Sequence, residues 1–118
     1  MRKKLLLGLC VVVGIACGLA KAAEHSMLTN PAPGVVCDVH FCANTRGVSE
    51  RLTTQYLGVK KGQQLVAQGE FDRTAFSFAN GVYCDTKEKV CRKDRYFGAD
   101  GKPSGAIDKP TTQLLFVP

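Results

Sequence analysis

Residues 80–97 read NGVYCDTKEKVCRKDRYF. The pair Asn80-Gly81 follows an alternating stretch, Thr74-Ala75-Phe76-Ser77-Phe78-Ala79. Asn and Gly both tolerate positive φ, so together they are a strong hairpin signal. A two-residue loop predicts Ala79 opposite Val82, Phe78 opposite Tyr83, and Ser77 opposite Cys84. Phe76 and Phe78, two apart, share the face turned to the core. After Cys84 the polar run Asp85-Thr86-Lys87-Glu88 predicts a second turn. Centring it on Lys87-Glu88 places Cys84 opposite Cys91, and the chain returns through Val90 to Phe97. A three-stranded antiparallel meander results.

Outward from this stretch the same words recur. Gly34-Val35-Val36-Cys37-Asp38 matches Gly81-Val82-Tyr83-Cys84-Asp85, and Thr53-Thr54-Gln55-Tyr56-Leu57 resembles Thr111-Thr112-Gln113-Leu114-Leu115. The pattern GVxCD, Cys, TTQxL therefore occurs twice with different intervening lengths, as a degenerate duplication would leave it. Each copy predicts a cysteine-closed turn followed by a short helix. The first helix spans Ser49–Leu57: Ser49 suits the N-cap, Glu50 the positive end, and Gly58 the stop. Leu52 and Tyr56 share a face at a spacing of four. Lys60–Ala67 predicts one or two further helical turns, weakened by Gly62. Pro110 opens a last helix running toward Phe116. The fold class is α+β: one small domain with antiparallel hairpins and short flanking helices.

The N-terminus reads MRKKLLLGLCVVVGIACGLAKAA, a positive start, an apolar run and small residues around Ala20-Lys21-Ala22. That order is a secretory signal peptide over residues 1–22. The apolar run, Leu5 to Leu19, is shorter than the ~20 residues a spanning helix needs. Lipidation at Cys17 is a rival reading, disfavoured by Gly14 where a larger aliphatic residue is expected. Residues 23–33, AEHSMLTNPAP, read as a flexible leader, and the cysteine-stabilised domain as residues 34–118. The whole chain carries +6. Without Arg2, Lys3, Lys4 and Lys21 the mature chain has 12 Lys and Arg against 10 Asp and Glu, a net +2. That weak field argues against a nucleic-acid partner. No segment after the signal is long and apolar enough to span a membrane.

Cys37, Cys42, Cys84 and Cys91 remain in the mature chain, an even number in an exported protein. An oxidising compartment then implies two disulfides. Zinc fits poorly, because Cys-x4-Cys with Cys-x6-Cys is not a zinc spacing and four free thiolates would not persist there. Three connectivities are open. The local pairs Cys37–Cys42 and Cys84–Cys91 are preferred because short loops close first. Asp38-Val39-His40-Phe41 forms the first loop, with Asp38 opening the turn. Crossed pairs constrain more chain, about 4 kcal/mol against about 2–2.5 for each short loop.

No nucleophile elbow, phosphate loop or dinucleotide fingerprint occurs, and no catalytic residue, cofactor or metal site is assigned. His40 reads as an exposed turn histidine. Asp100-Gly101 reads as a turn. Lys87, Lys89, Arg92, Lys93, Arg95 and Tyr96 form the candidate partner-contact surface. The same charges also suit a solvated strand edge that discourages aggregation.

GVVCD with Cys42, FDRTAFSFANGVYCD, VCRKDRYF and the terminal TTQLLF resemble the YcgJ-like family, also called Fels prophage protein-like. These are small exported proteins of enterobacteria and related phage-derived loci. The resemblance covers roughly residues 34–116. It implies export and one cysteine-stabilised domain, and it carries over no catalytic residues. The expected function is a periplasmic binding or inhibitor-type module acting on an envelope protein or anionic envelope component. The alternative is a small peptidoglycan-directed hydrolase using Asp and Glu side chains.

Overall fold

The computed structural model describes residues 27–118. The expected signal segment, with Cys10 and Cys17, and His25 lie outside the described residues. Two antiparallel sheets follow one another along the chain. The first is a four-stranded meander of β1 (Thr29–Ala32), β2 (Val35–Cys37), β3 (Cys42–Asn44) and β4 (Gly47–Ser49). Helices α1 (Glu50–Leu57) and α2 (Val59–Ala67) come next. The second sheet is the expected three-stranded meander, β5 (Ala75–Ser77), β6 (Tyr83–Asp85) and β7 (Val90–Arg92), and α3 (Lys109–Phe116) closes the chain.

The domain begins earlier than the sequence suggested. Residues 29–32, assigned to the flexible leader, form β1 and pair with β2, Ala32 facing Val35. Pro33-Gly34 is the connecting turn, with Gly34 at φ 74, which a Pro-Gly pair adopts without strain. Pro31 is tolerated because β1 is an edge strand.

The second sheet differs from expectation by one residue of register. Ser77 faces Tyr83 and Phe76 faces Cys84. Gly81 alone takes positive φ, at 93°. Its N–H donates to Phe78 O at 2.9 Å while Phe78 N–H donates to Val82 O at 2.9 Å. This is a three-residue loop with a glycine bulge in place of the two-residue turn. Phe76 and Phe78 still both turn inward. Strand β7 stops at Arg92 and does not continue to Phe97. Residues 93–107 instead form a narrow excursion, with Lys93 N–H on Ala106 O and Ser104 N–H on Tyr96 O. Asp100-Gly101 makes its turn, Gly101 N–H donating to Gly98 O.

Both cysteine hairpins close as expected. Cys37 faces Cys42 and Cys84 faces Cys91 across their ladders, and each pair is disulfide-bonded. All four cysteines are fully buried. A threonine from the helix that follows supports each hairpin. Cys42 N–H donates to Thr53 Oγ1 at 2.9 Å, and Cys91 N–H donates to Thr112 Oγ1 at 2.9 Å. Thr53 stands four residues after the Ser49 N-cap, and Thr112 four after the Asp108 N-cap. The two copies thus build the same local unit, offset by one residue from the alignment of their TTQ words.

Helix α1 has Ser49 Oγ on Leu52 N–H at 3.1 Å and Gly58 as its stop. Leu52 and Thr53 turn inward, whereas Tyr56 stays over one-third exposed. Gly62, read as a weakness, is what lets α2 approach α1: a methyl group there would collide with the Thr54 side chain. The two sheets share one apolar cluster, including Val36, Val48, Leu65, Phe76, Phe78 and Leu115. Two polar contacts lock them together. Val48 N–H donates to Arg73 O at 2.9 Å. Asp38, only 3 % exposed, accepts from His40 and Phe41 N–H through Oδ1 and from Ala79 N–H through Oδ2 at 2.7 Å. The carboxylate that opens the first hairpin turn therefore also caps the second sheet's loop.

Candidate functional site

The six residues of the basic segment divide into different environments. Lys87 and Lys89 sit exposed at the tip of the β6–β7 turn, where Lys89 takes φ 58. Lys87 N–H is held by Asp85 Oδ1 at 2.8 Å. Arg92 is an internal brace: its guanidinium donates to Gly105 O at 2.8 Å, and its buried Nε faces Glu88 Oε1 at 3.5 Å without a hydrogen-bond acceptor. Lys93 reaches Asp108 Oδ1 at 3.3 Å. Burial pushes the Asp108 carboxyl up, but the Thr111 hydroxyl, Lys93 and the Thr111 amide outweigh it and hold the group below its ordinary value. Tyr96 is 71 % exposed beside Phe97.

Arg95 belongs to a different assembly. Its guanidinium lies 5.1 Å from the centre of the Tyr83 ring. Burial, followed by the charge of Asp85, raises the Tyr83 phenol above its ordinary pKa, and Arg95 works against that rise. Arg95 forms no ion pair among the described residues. It borders a cleft of about 450 Å³ at the seam between the two sheets. Phe41 comes from the first hairpin loop, Val48 from β4, Leu65 from α2, and Phe71, Ala75 and Phe76 from β5 and its approach. The rim carries His40, Gln68, Asp72 and Arg95. An apolar, largely aromatic floor with a few polar groups on the rim is the ordinary make-up of a ligand site, and the volume lies in the usual range of about 300–1,000 Å³.

The floor is held rigidly. Phe41 meets Phe76 edge-on at 5.8 Å and stacks on Phe78 at 5.3 Å. On the rim, the Thr74 hydroxyl and amide both donate to Asp72 Oδ1, at 2.6 and 2.9 Å. Those two bonds keep the Asp72 carboxyl below its ordinary pKa. Arg73 lies over the Phe71 ring at 4.6 Å and is matched by Glu50 at 2.8 Å. Two larger hollows lack this character. One, between the β1–β2 turn and α3, has no charged side chain in its lining among the described residues, and the other is the outer groove between α1 and α2.

Of these lining residues Arg95 belongs to the basic segment expected from sequence, His40 is the turn histidine given no role there, and Gln68, Phe71 and Asp72 are new to the site. His40 is indeed exposed in its turn, yet that turn forms one wall of the cleft. A usable signal was the FDRT stretch, where an apolar ring precedes an Asp two residues before Thr, a self-closing turn. No group of three or more His, Cys, Asp or Glu among the described residues is placed to hold a metal. No helix among them is long and apolar enough to cross a membrane.

The family model for the YcgJ protein matches residues 28–116, a span that takes in β1 and all elements up to the end of α3. The chain is similar to a protein of Escherichia coli (strain K12) described as uncharacterized protein YcgJ. The identity is 47 % over 111 residues, covering 94 % of this chain and 91 % of that protein. No solved structure matches.

Proposed function

The chain belongs to the YcgJ family, a membership that specifies no reaction, and we propose from the geometry that it is an exported periplasmic binding module. The observation that carries this reading is the seam cleft: a rigid aromatic floor, and on its rim an arginine with no ion-pair partner among the described residues. Two buried disulfides and the Asp38 and Val48 contacts fix the walls before any ligand arrives, so little ordering entropy opposes binding. The signal-like N-terminus supplies the periplasmic address, and an envelope component is the intended partner. The hydrolase alternative draws no support from this site. Glycoside hydrolysis uses two carboxylates about 5–9.5 Å apart, and among the described residues Asp72 is the single carboxylate lining the cleft.

Immobilised oxidised protein, exposed to periplasmic and envelope extract, tests the reading. A defined species should be retained by the wild type and by Lys89→Glu, and lost on Arg95→Glu and on Phe71→Ala. Retention of the same species by both cleft variants would refute the assignment of the cleft.

A further inference from the structure

We propose that the cleft takes a small aromatic acid, its rings on the phenylalanine floor and its anion on Arg95; this rests on the binding reading above. The cations near the seam differ in what they have left to offer. Arg73 is neutralised by Glu50, Arg92 lies against Glu88 and Lys93 against Asp108. Arg95 has its guanidinium over the Tyr83 ring and no carboxylate within ion-pair distance among the described residues, so its charge remains available to an anion. A guanidinium anchored on an aromatic face is pre-oriented for two-point recognition of a planar carboxylate. His40 and Gln68, on the same rim, carry further N–H donors.

The opposing charge is less available. Asp72 spends one oxygen on both Thr74 donors, and the charge of Lys87 also acts on it. A cationic ligand would therefore meet a carboxylate already partly satisfied, whereas an anionic one meets an arginine without a partner. The floor decides the body of the ligand. Phe41, Phe76 and Phe78 already form a packed set of edge-on and stacked rings, with centroids 5.3–5.8 Å apart. Phe41 and Phe76 both line the cleft, and a further ring extends such an array at the spacing aromatic pairs prefer.

A head-group series tests this with one constant body: 1-naphthylacetate, 1-naphthyl phosphate, 2-(1-naphthyl)ethanol and 2-(1-naphthyl)ethylamine. The protein contains no tryptophan, so naphthalene fluorescence anisotropy reads binding directly, and NMR shifts locate it. The acetate should bind at least five-fold tighter than the alcohol and amine, shifting Phe41, Phe71 and Phe76. Arg95→Gln should reduce the acetate to the affinity of the alcohol and leave the alcohol unchanged. Arg95→Lys should recover part of the preference, and Lys87→Gln should have no effect. A phosphate preferred over the acetate would replace the carboxylate in the proposal. Equal affinities across the series, an amine that binds tightest, or an acetate indifferent to Arg95→Gln would each overturn it. In those cases the cleft remains a binding site. Should no probe of any charge enter, the ligand class falls, and the extract experiment with Phe71→Ala then decides separately whether the binding reading falls too.

Discussion

Thr53 holds the first hairpin to its helix, and its removal should be measurable. The side chain is completely buried. Its oxygen accepts from Cys42 N–H at 2.9 Å, and its hydroxyl donates to Ser49 O at 2.6 Å. Thr53→Val keeps the shape and deletes both bonds. The Cys42 amide, on a residue that is itself fully buried, is left without that partner. Such an orphan costs about 1–3 kcal/mol. The extra buried methyl offsets up to about 0.8 kcal/mol of this. The net loss should be about 1–2 kcal/mol. At a urea dependence of about 1 kcal/mol/M, the midpoint of the oxidised protein should fall by about 1–2 M. Thr112→Val should cost about half as much, because Thr112 is only partly buried and its donor contact to Cys91 O is longer, 3.2 Å. Amide hydrogen exchange supplies the specific readout. The Cys42 amide should lose protection in Thr53→Val and keep it in Thr53→Ser. An unshifted midpoint, or undiminished Cys42 protection in the valine variant, would refute the role given to this hydroxyl.

Two other outcomes follow from the contacts that join the sheets, and a third from the Asp108 cap of α3. Asp38→Asn turns one acceptor oxygen into a donor facing an N–H, and should cost about 2–3 kcal/mol in thermal or urea unfolding, with the Ala79 or the His40 and Phe41 amides exchanging faster. Gly47→Ala should destabilise by about 2 kcal/mol or more, since Gly47 sits at φ 113 and a methyl group there would collide with the Arg73 carbonyl that receives Val48 N–H. Asp108 has a folded pKa below its ordinary value, so its contribution is complete above about pH 4 and is lost as pH falls through the folded value. A pH series of urea midpoints should therefore show a shallower acid decline in Asp108→Asn than in the wild type; parallel declines would show that the carboxylate contributes nothing.

The cysteine hairpins and helices were legible because local chemistry sets them. Cys84 faces Cys91 because four turn residues separate Asp85 from Val90, and Ser49 caps α1 through a bond within one turn. Strand β1 was hidden because Pro31 and Pro33 look like chain breakers, and only its pairing with β2 shows them to be an edge position and a turn. The register at Asn80-Gly81 failed for a subtler reason. Asn80 uses its side chain to accept from Val82 N–H at 3.1 Å, and Gly81 alone takes the left-handed conformation. The cleft could not be read at all, since His40, Leu65, Phe76 and Arg95 meet only when the two sheets close on each other. The basic run was visible as composition, but which of its charges stay free is decided by Glu88 and Asp108, and by the Tyr83 ring.

Peptide mapping of the natural protein under non-reducing conditions, with a free-thiol count, tests the stapled scaffold and its proposed export most directly. Peptides joining Cys37 to Cys42 and Cys84 to Cys91, no free thiol in the mature chain, and an N-terminus just after Ala22 are expected. Recovery of reduced cysteines, a Cys37–Cys84 cross-link, or a chain still beginning at Met1 would contradict it.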